Sequence, residues 1–267
     1  MVVRIGSKSN VGFIALAGSI MLSSCGFMPA SKPESDVAYT MNSTGRMYEP
    51  FPLVSFPSVA TEAPASVRWQ HYPLPGKQAT NYRYEWIDGR HAVQATATMS
   101  ASMLRQSMRV APSQLGLIRF SWKVPQLILG ADLALREAHD SPVRLVLAFE
   151  GDVSSFSTKN SMLSELALVL TGEAMPYATL MYVWCNTCSK DEVFLSPRTD
   201  RIREIALESG SGELGQWRHY ERDIRADYEK AFGEPAGALL GVGLMTDTDN
   251  TRQSTTAWYG TVSLADR

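Results

Sequence analysis

From residue 67 onward, apolar and polar positions alternate along the chain with a period of two. Tyr82, Tyr84 and Trp86 interleave with Asn81, Arg83 and Glu85, and Ile118, Phe120, Trp122 and Val124 interleave with Arg119, Ser121 and Lys123. Successive side chains of a strand point to opposite faces, so each run predicts a strand with one face buried. Shorter runs predict further strands over 67–72, 91–98, 107–110, 131–136, 143–149, 178–184, 203–208, 217–222, 239–245 and 257–264. Turn residues separate them at intervals of roughly 8 to 12 residues or somewhat more, and no strand-helix-strand rhythm appears. The pattern predicts an all-β fold with minor α, a single antiparallel β-sandwich over residues 66–267.

The period changes twice. Residues 161–170 carry apolar side chains at 162, 163, 166, 169 and 170, a helical stripe after the polar Ser157-Thr158-Lys159-Asn160. Residues 223–232 begin on Asp223, a possible N-cap, repeat Ile224, Tyr228 and Phe232 at every fourth position, and stop at Gly233 before Pro235. Both predict short crossover helices of the sandwich.

The beginning of the chain belongs to a different material. Arg4 and Lys8 precede a mostly apolar run over 11–22 that Leu22-Ser23-Ser24-Cys25 closes. The run is shorter than the roughly 20 apolar residues a spanning helix needs, and its layout is that of a signal peptide over residues 1–24. The closing residues resemble the lipobox of bacterial lipoproteins, which implies cleavage before Cys25 and lipidation of that cysteine. An uncleaved N-terminal anchor, or a plain signal peptide with an incidental cysteine, is the alternative. Gly26, where an aspartate would mark retention in the inner membrane, points to the outer membrane facing the periplasm. Residues 25–65, with prolines at 29, 33, 50, 52, 57 and 64, cannot hold a helix or a continuous ladder and read as a lipidated N-terminus and tether. Within it, residues 51–56 are apolar enough to lie against the domain edge.

Composition narrows the function classes. With 45% hydrophobic and 19% charged residues the chain is not disordered, collagen-like or a multi-span membrane protein. A formal net charge of -2, falling to -4 when Arg4 and Lys8 leave with the leader, gives no basis for nucleic-acid binding.

Several motifs together resemble one bacterial family. They are Arg222-Asp223, Asp227-Tyr228, Phe232-Gly233-Glu234-Pro235 and Met245-Thr246-Asp247-Thr248-Asp249-Asn250-Thr251, closed by Trp258-Tyr259-Gly260. Ser100-Ala101-Ser102, Ser121-Trp122-Lys123, Asp140 with Arg144 and Phe149, and the stretch 176–184 fit the same pattern. The family is catalogued as domain of unknown function three thousand and forty-seven, and the resemblance runs over about 80–264. It implies a secreted β-sandwich of the jelly-roll, galactose-binding-like kind seen in carbohydrate-binding modules, and it brings no activity. The chain departs from the pattern at Cys185 and Cys188, and at His139, where a second aspartate is usual.

Four groups of residues carry candidate chemistry. Cys185 and Cys188 have the spacing of a redox pair, but the strand before them and the polar residues after them lack the frame of one; a local disulfide in an oxidising compartment is the plainer reading. Asp247, Asp249 and Asn250 offer hard oxygen ligands for calcium, without the glycine and glutamate of a calcium-binding hand, and equally suit an ordinary turn. Arg136, Asp140 and Arg144 could form a cleft with Asp247, Asp249 and Asn250, in which paired carboxylates would serve glycoside chemistry and an arginine beside them would make a structural ion pair. Tyr82, Tyr84, Trp86, Trp258 and Tyr259 could form a platform for sugar rings, or core; Trp258 and Tyr259 face opposite ways, so one of them should be outward. No Gly-x-Ser-x-Gly elbow, His-Glu-x-x-His helix or phosphate loop occurs, and His71, His91, His139 and His219 lack ligand spacing.

These readings converge on a lipid-anchored envelope protein that binds a glycan or envelope polymer on its concave sheet, held to the membrane through its N-terminal lipid, with no required cofactor beyond a possible structural calcium. The alternatives are a polysaccharide-active enzyme built on Asp140, Asp247 and Asp249, and an assembly lipoprotein without glycan binding.

Overall fold

A computed structural model describes residues 69–265. In chain order the strands are β1 (Gln70–Pro73), β2 (Asn81–Ile87), β3 (Arg90–Thr98), β4 (Ala101–Val110), β5 (Leu117–Lys123), β6 (Ser141–Phe149), β7 (Ala178–Cys185), β8 (Val193–Leu195), β9 (Ile202–Ser209), β10 (Trp217–Asp223), β11 (Leu239–Asp247), β12 (Ser254–Tyr259) and β13 (Ser263–Ala265). Helix α1 (Thr158–Thr171) joins β6 to β7, and α2 (Ile224–Phe232) joins β10 to β11. One sheet runs β1-β4-β11-β6-β7-β9-β8, the other β10-β5-β12-β3-β2, with β13 also on β5. The chain passes repeatedly between the sheets, so neither sheet is built from one continuous stretch. Among the described residues no helix is long and apolar enough to cross a membrane.

The alternation read from the sequence sets the core. In β5, Ile118, Phe120 and Trp122 are buried between the sheets. Phe120 stacks on Tyr182 at 5.6 Å and on Tyr220 at 5.2 Å, which ties the two sheets through aromatic faces. Helix α2 follows its predicted signals: Asp223 accepts from the Ala226 N–H at 3.1 Å, Ile224 and Tyr228 are buried, and Gly233 closes the helix at φ 71°. The family motif here is structural. Arg222 grips Asp227 through two hydrogen bonds of 2.8 and 2.6 Å, and Asp227 also accepts from the Tyr182 hydroxyl at 2.8 Å.

Three expectations need correction. Residues 131–136 form no strand; the Asp132 carboxylate accepts from the Ala134 N–H, and main-chain bonds from Leu135 to Asp132 and from Asp132 to Ala138 fold the segment on itself. The stretch 257–264 is divided at Gly260, where a Cβ would come within 2.2 Å of Ser121 Oγ. The sandwich is not wholly antiparallel: β7 and β9 are parallel neighbours, because the chain first runs out to the edge strand β8 and returns between them. Helix α1 forms where the sequence predicts it, with its apolar stripe facing outward. Met162, Leu166, Val169 and Leu170 are exposed, while Asn160 is buried and holds Thr199 and Asp200.

The signal peptide, Cys25, the tether and the apolar segment 51–56 lie outside the described residues.

Candidate functional site

The outer face of the seven-stranded sheet forms a groove of about 470 Å³. Strand register arranges its floor in rows. One row, Ser107, Gly241, Ala148 and Thr179, is made of small side chains. The next, Arg105, Gly243, Val146, Met181 and Glu204, is apolar in the middle and charged at both ends. The third, Met103, Met245 and Arg144, leads to a charged end wall. Gly243 is needed for space: a Cβ there would lie 2.3 Å from Met103 Sδ. Tyr72 from β1 forms one side wall, with the Arg105 guanidinium 4.3 Å above its ring. The segment after α1 forms the other, and Arg105 reaches it with two bonds to Glu173 at 2.6 and 2.7 Å, so an ion pair ties the two walls together.

The end wall is a buried charge network. The Arg144 guanidinium donates to Glu204 at 2.6 Å, to Asp247 at 2.8 Å and to the His139 carbonyl at 2.9 Å. His139 Nε2 stands 3.3 Å from Glu204 Oε1, and Glu204 Oε2 is buried without a hydrogen-bond partner. The two carboxylates on this one arginine are driven apart. Burial pushes Asp247 up, and Asp140 adds to the shift against the pull of Arg144. Burial also acts to raise Glu204, but Arg144 and His139 together bring it below the ordinary carboxylate range. Opposite shifts on neighbouring carboxylates are the pattern by which one site supplies both an acid and a base.

Of the residues singled out as a cleft, most come together. Asp140, Asp247 and Asp249 offer oxygens within 4.8 Å of one another, and the pairing of Asp247 with Ser141 explains why Asp140 arrives there. Their partners argue for a closed loop staple. Asp140 accepts from the Asn250 N–H at 3.2 Å and from the Thr251 N–H and hydroxyl at 2.7 Å each. Asp247 holds Arg144 and the Ser141 N–H, and Asp249 pairs with the Lys77 ammonium. Three carboxylates in this spacing could take one cation, which would have to compete with Lys77 and Arg144. Arg136 joins through its carbonyl, which accepts from the Asn250 amide at 2.8 Å.

The five aromatic residues do not form a platform. Tyr259 is buried and donates to the Met245 carbonyl at 2.5 Å, and Tyr82 points inward to the Ser102 carbonyl at 2.7 Å. Trp258 lies on the outer face of the second sheet, half-buried, and donates to Glu85; Tyr84 and Trp86 are exposed on β2. Cys185 and Cys188 are joined in a disulfide, at the end of β7. No helix starts there, so the helix N-terminus that would stabilise a reactive thiolate is absent from this segment. Sequence reasoning missed Glu204, Lys77, Arg105 and Glu173. Glu204 lies inside a predicted strand, and a carboxylate alternating with apolar positions was the one available signal.

A family profile described as a protein of unknown function (DUF3047) matches residues 67–263. No curated protein matches the chain. Among solved structures, the family 11 carbohydrate-binding module of the cellulase Lic26A-Cel5E of Clostridium thermocellum is similar at 11% identity, covering 76% of this chain and 90% of that one, with a TM-score of 0.36. The xyloglucanase domain of NopAA, an effector from Sinorhizobium fredii, is similar at 9% identity over 76% of this chain and 100% of that one, with a TM-score of 0.39. Endoglucanase 3 of Trichoderma harzianum, from family GH12, gives the same figures of 9%, 76%, 100% and 0.39. Overlaps this slight carry no inference about ligand or activity.

Proposed function

Because the chain belongs to the DUF3047 family, which brings no assigned activity, we propose a function from its own groove: the domain binds a glycan or cell-envelope polymer along the concave sheet. The groove carries this reading. Sugar rings present flat C–H faces edged by hydroxyls, and they need a shallow apolar floor with polar groups at its margins. Met103, Met181, Met245 and Val146 supply the floor, the row of Ser107, Gly241, Ala148 and Thr179 makes room, and Arg105, Glu173, Lys77 and Arg198 supply the margins. The groove's volume falls inside the roughly 300–1,000 Å³ range of ligand sites. The resemblance of Leu22-Ser23-Ser24-Cys25 to a lipobox supports reading the protein as lipid-anchored in the envelope, with Cys25 as the anchor. A Cys25→Ala variant should lose metabolic labelling by an acyl-chain analogue.

The test of binding is a glycan array followed by calorimetry with the best envelope polysaccharide. Gly243→Leu should abolish binding by filling the floor. Binding unaffected by that variant, or no glycan bound at all, would overturn the reading and favour an assembly role. A second reading, a polysaccharide-active enzyme, is favoured by the convergence of Asp140, Asp247 and Asp249, whose oxygens lie within 4.8 Å of one another at the end of the groove. It predicts shortened products from the bound polymer, lost in Asp247→Asn. A polymer recovered intact excludes it.

A further inference from the structure

The second sheet contains a notch of its own. Strand β12 lies between β3 and β5 and ends with Tyr259 opposite both Val93 and Trp122. Gly260 donates its N–H to the Ser121 carbonyl at 2.9 Å, and the chain then turns away, returning to β5 only where Ser263 meets Arg119. The β2–β3 hairpin continues beyond that point through Glu85 with Ala92, Trp86 with His91, and Ile87 with Arg90. Its tip therefore overhangs, with no strand bonded between it and β5. A cavity of about 710 Å³ opens in this place.

The chemistry of the notch differs from that of the groove. Trp86 is the exposed tryptophan of the chain, at 59%, and meets His91 edge to face at 4.6 Å. Arg90 lies 4.7 Å over the Trp217 ring, with Nη1 3.3 Å from His219 Nε2. Its guanidinium forms no salt bridge among the described residues. The nearby Asp88 is taken by the Lys123 ammonium at 2.7 Å and the Trp217 N–H at 2.9 Å. Arg119, across the notch, is answered by Glu221 at 2.5 Å. The Arg90 guanidinium, held flat over the Trp217 indole and without a salt bridge, and the exposed Trp86 indole therefore line the same notch, from opposite faces of the β2–β3 ribbon.

We propose that this notch is a second, independent binding site that takes a carboxylate-bearing sugar, a hexuronate unit of an acidic polysaccharide. The ring would stack its C–H face on Trp86, and the carboxylate would accept from Arg90, whose planar fork matches carboxylate geometry. Ser121, buried but lining the cavity beside Gly260, whose Cβ would fall 2.2 Å from its Oγ, offers a further hydrogen bond to a ring hydroxyl. The site does not depend on the groove reading, because different residues on the other sheet form it.

The test is calorimetry and saturation-transfer NMR on the full chain in detergent, with trigalacturonate as the probe and cellotriose as the neutral counterpart. Trigalacturonate should bind, and cellotriose should bind at least about tenfold more weakly. Trp86→Ala and Arg90→Gln should each weaken trigalacturonate by about tenfold or more while leaving the thermal midpoint nearly unchanged. Equal binding of the two sugars, competition by glucose phosphate at lower concentration than galacturonate, or wild-type binding by either notch variant would overturn the assignment.

Discussion

Replacing Arg144 by methionine removes the single cation from a wall that holds two buried carboxylates. The side chains involved are nearly sealed: 2% exposed for Arg144, 0% for Glu204 and 5% for Asp247. The Arg144 guanidinium's three hydrogen bonds to oxygen disappear, and Glu204 keeps only the 3.3 Å approach of His139 while Asp247 keeps the Ser141 N–H. Removing one member of a buried ion network costs about 3–5 kcal/mol, because the charges left behind are uncompensated. That is a large part of the roughly 5–15 kcal/mol that holds a domain together. The loss should depend on pH. In the wild type, Glu204 sits below its ordinary range, so its contribution is present above the unfolded value and lost as pH falls through the folded one. Asp247 sits above its range, so its contribution has the opposite sign and fades as pH rises through its folded value. Without Arg144 both carboxylates rise, and both then favour the protonated folded state. Urea unfolding followed by tryptophan fluorescence at about pH 7 and about pH 5 should show a smaller penalty in acid. A penalty under about 1 kcal/mol at neutral pH, or one of equal size at both, would refute the network as an uncompensated-charge problem.

Asp140→Ala should cost about 2–4 kcal/mol, since it leaves the Asn250 and Thr251 N–H groups without their acceptor, and hydrogen exchange at those two amides should accelerate. Calcium should change the thermal midpoint of a Lys77→Ala variant more than that of the wild type, because Lys77 competes for Asp249. An equal response would show that the ion does not use this cluster. Reducing the Cys185–Cys188 bridge opens a closed loop of sequence separation 3, so chain entropy predicts a loss of only about 2 kcal/mol in urea denaturation with reductant.

The alternation of β5 and the caps of α2 were legible because each is decided by neighbours in sequence: a period of two around Phe120, an aspartate at 223, a glycine at 233. The acid cluster was legible in part, since Asp247 and Asp249 share one turn, but their meeting with Asp140 depends on the register between β11 and β6. Glu204 and Arg144 are 60 positions apart and meet only across β6, β7 and β9, so neither announces the other. The buried side of helix α1 was not legible for a different reason. Its stripe has the right period, and period alone does not say which side faces the protein; here Asn160 and its bonds to Thr199 and Asp200 fix the buried side, and Leu166 and Val169 are left to solvent.

Strand β1 is short, lies at the edge of its sheet and pairs only with β4, through four residue pairs. It is also the first described strand after residue 68, so a pull transmitted from the N-terminal side reaches Gln70 before any other strand. Those four pairs would be opened one after another, as in unzipping, and not sheared together. The same strand carries Tyr72, the wall under Arg105. Mechanical tension on the chain and the width of the groove are therefore coupled through one four-residue strand: force enough to peel β1 would open the groove before it disturbed the core.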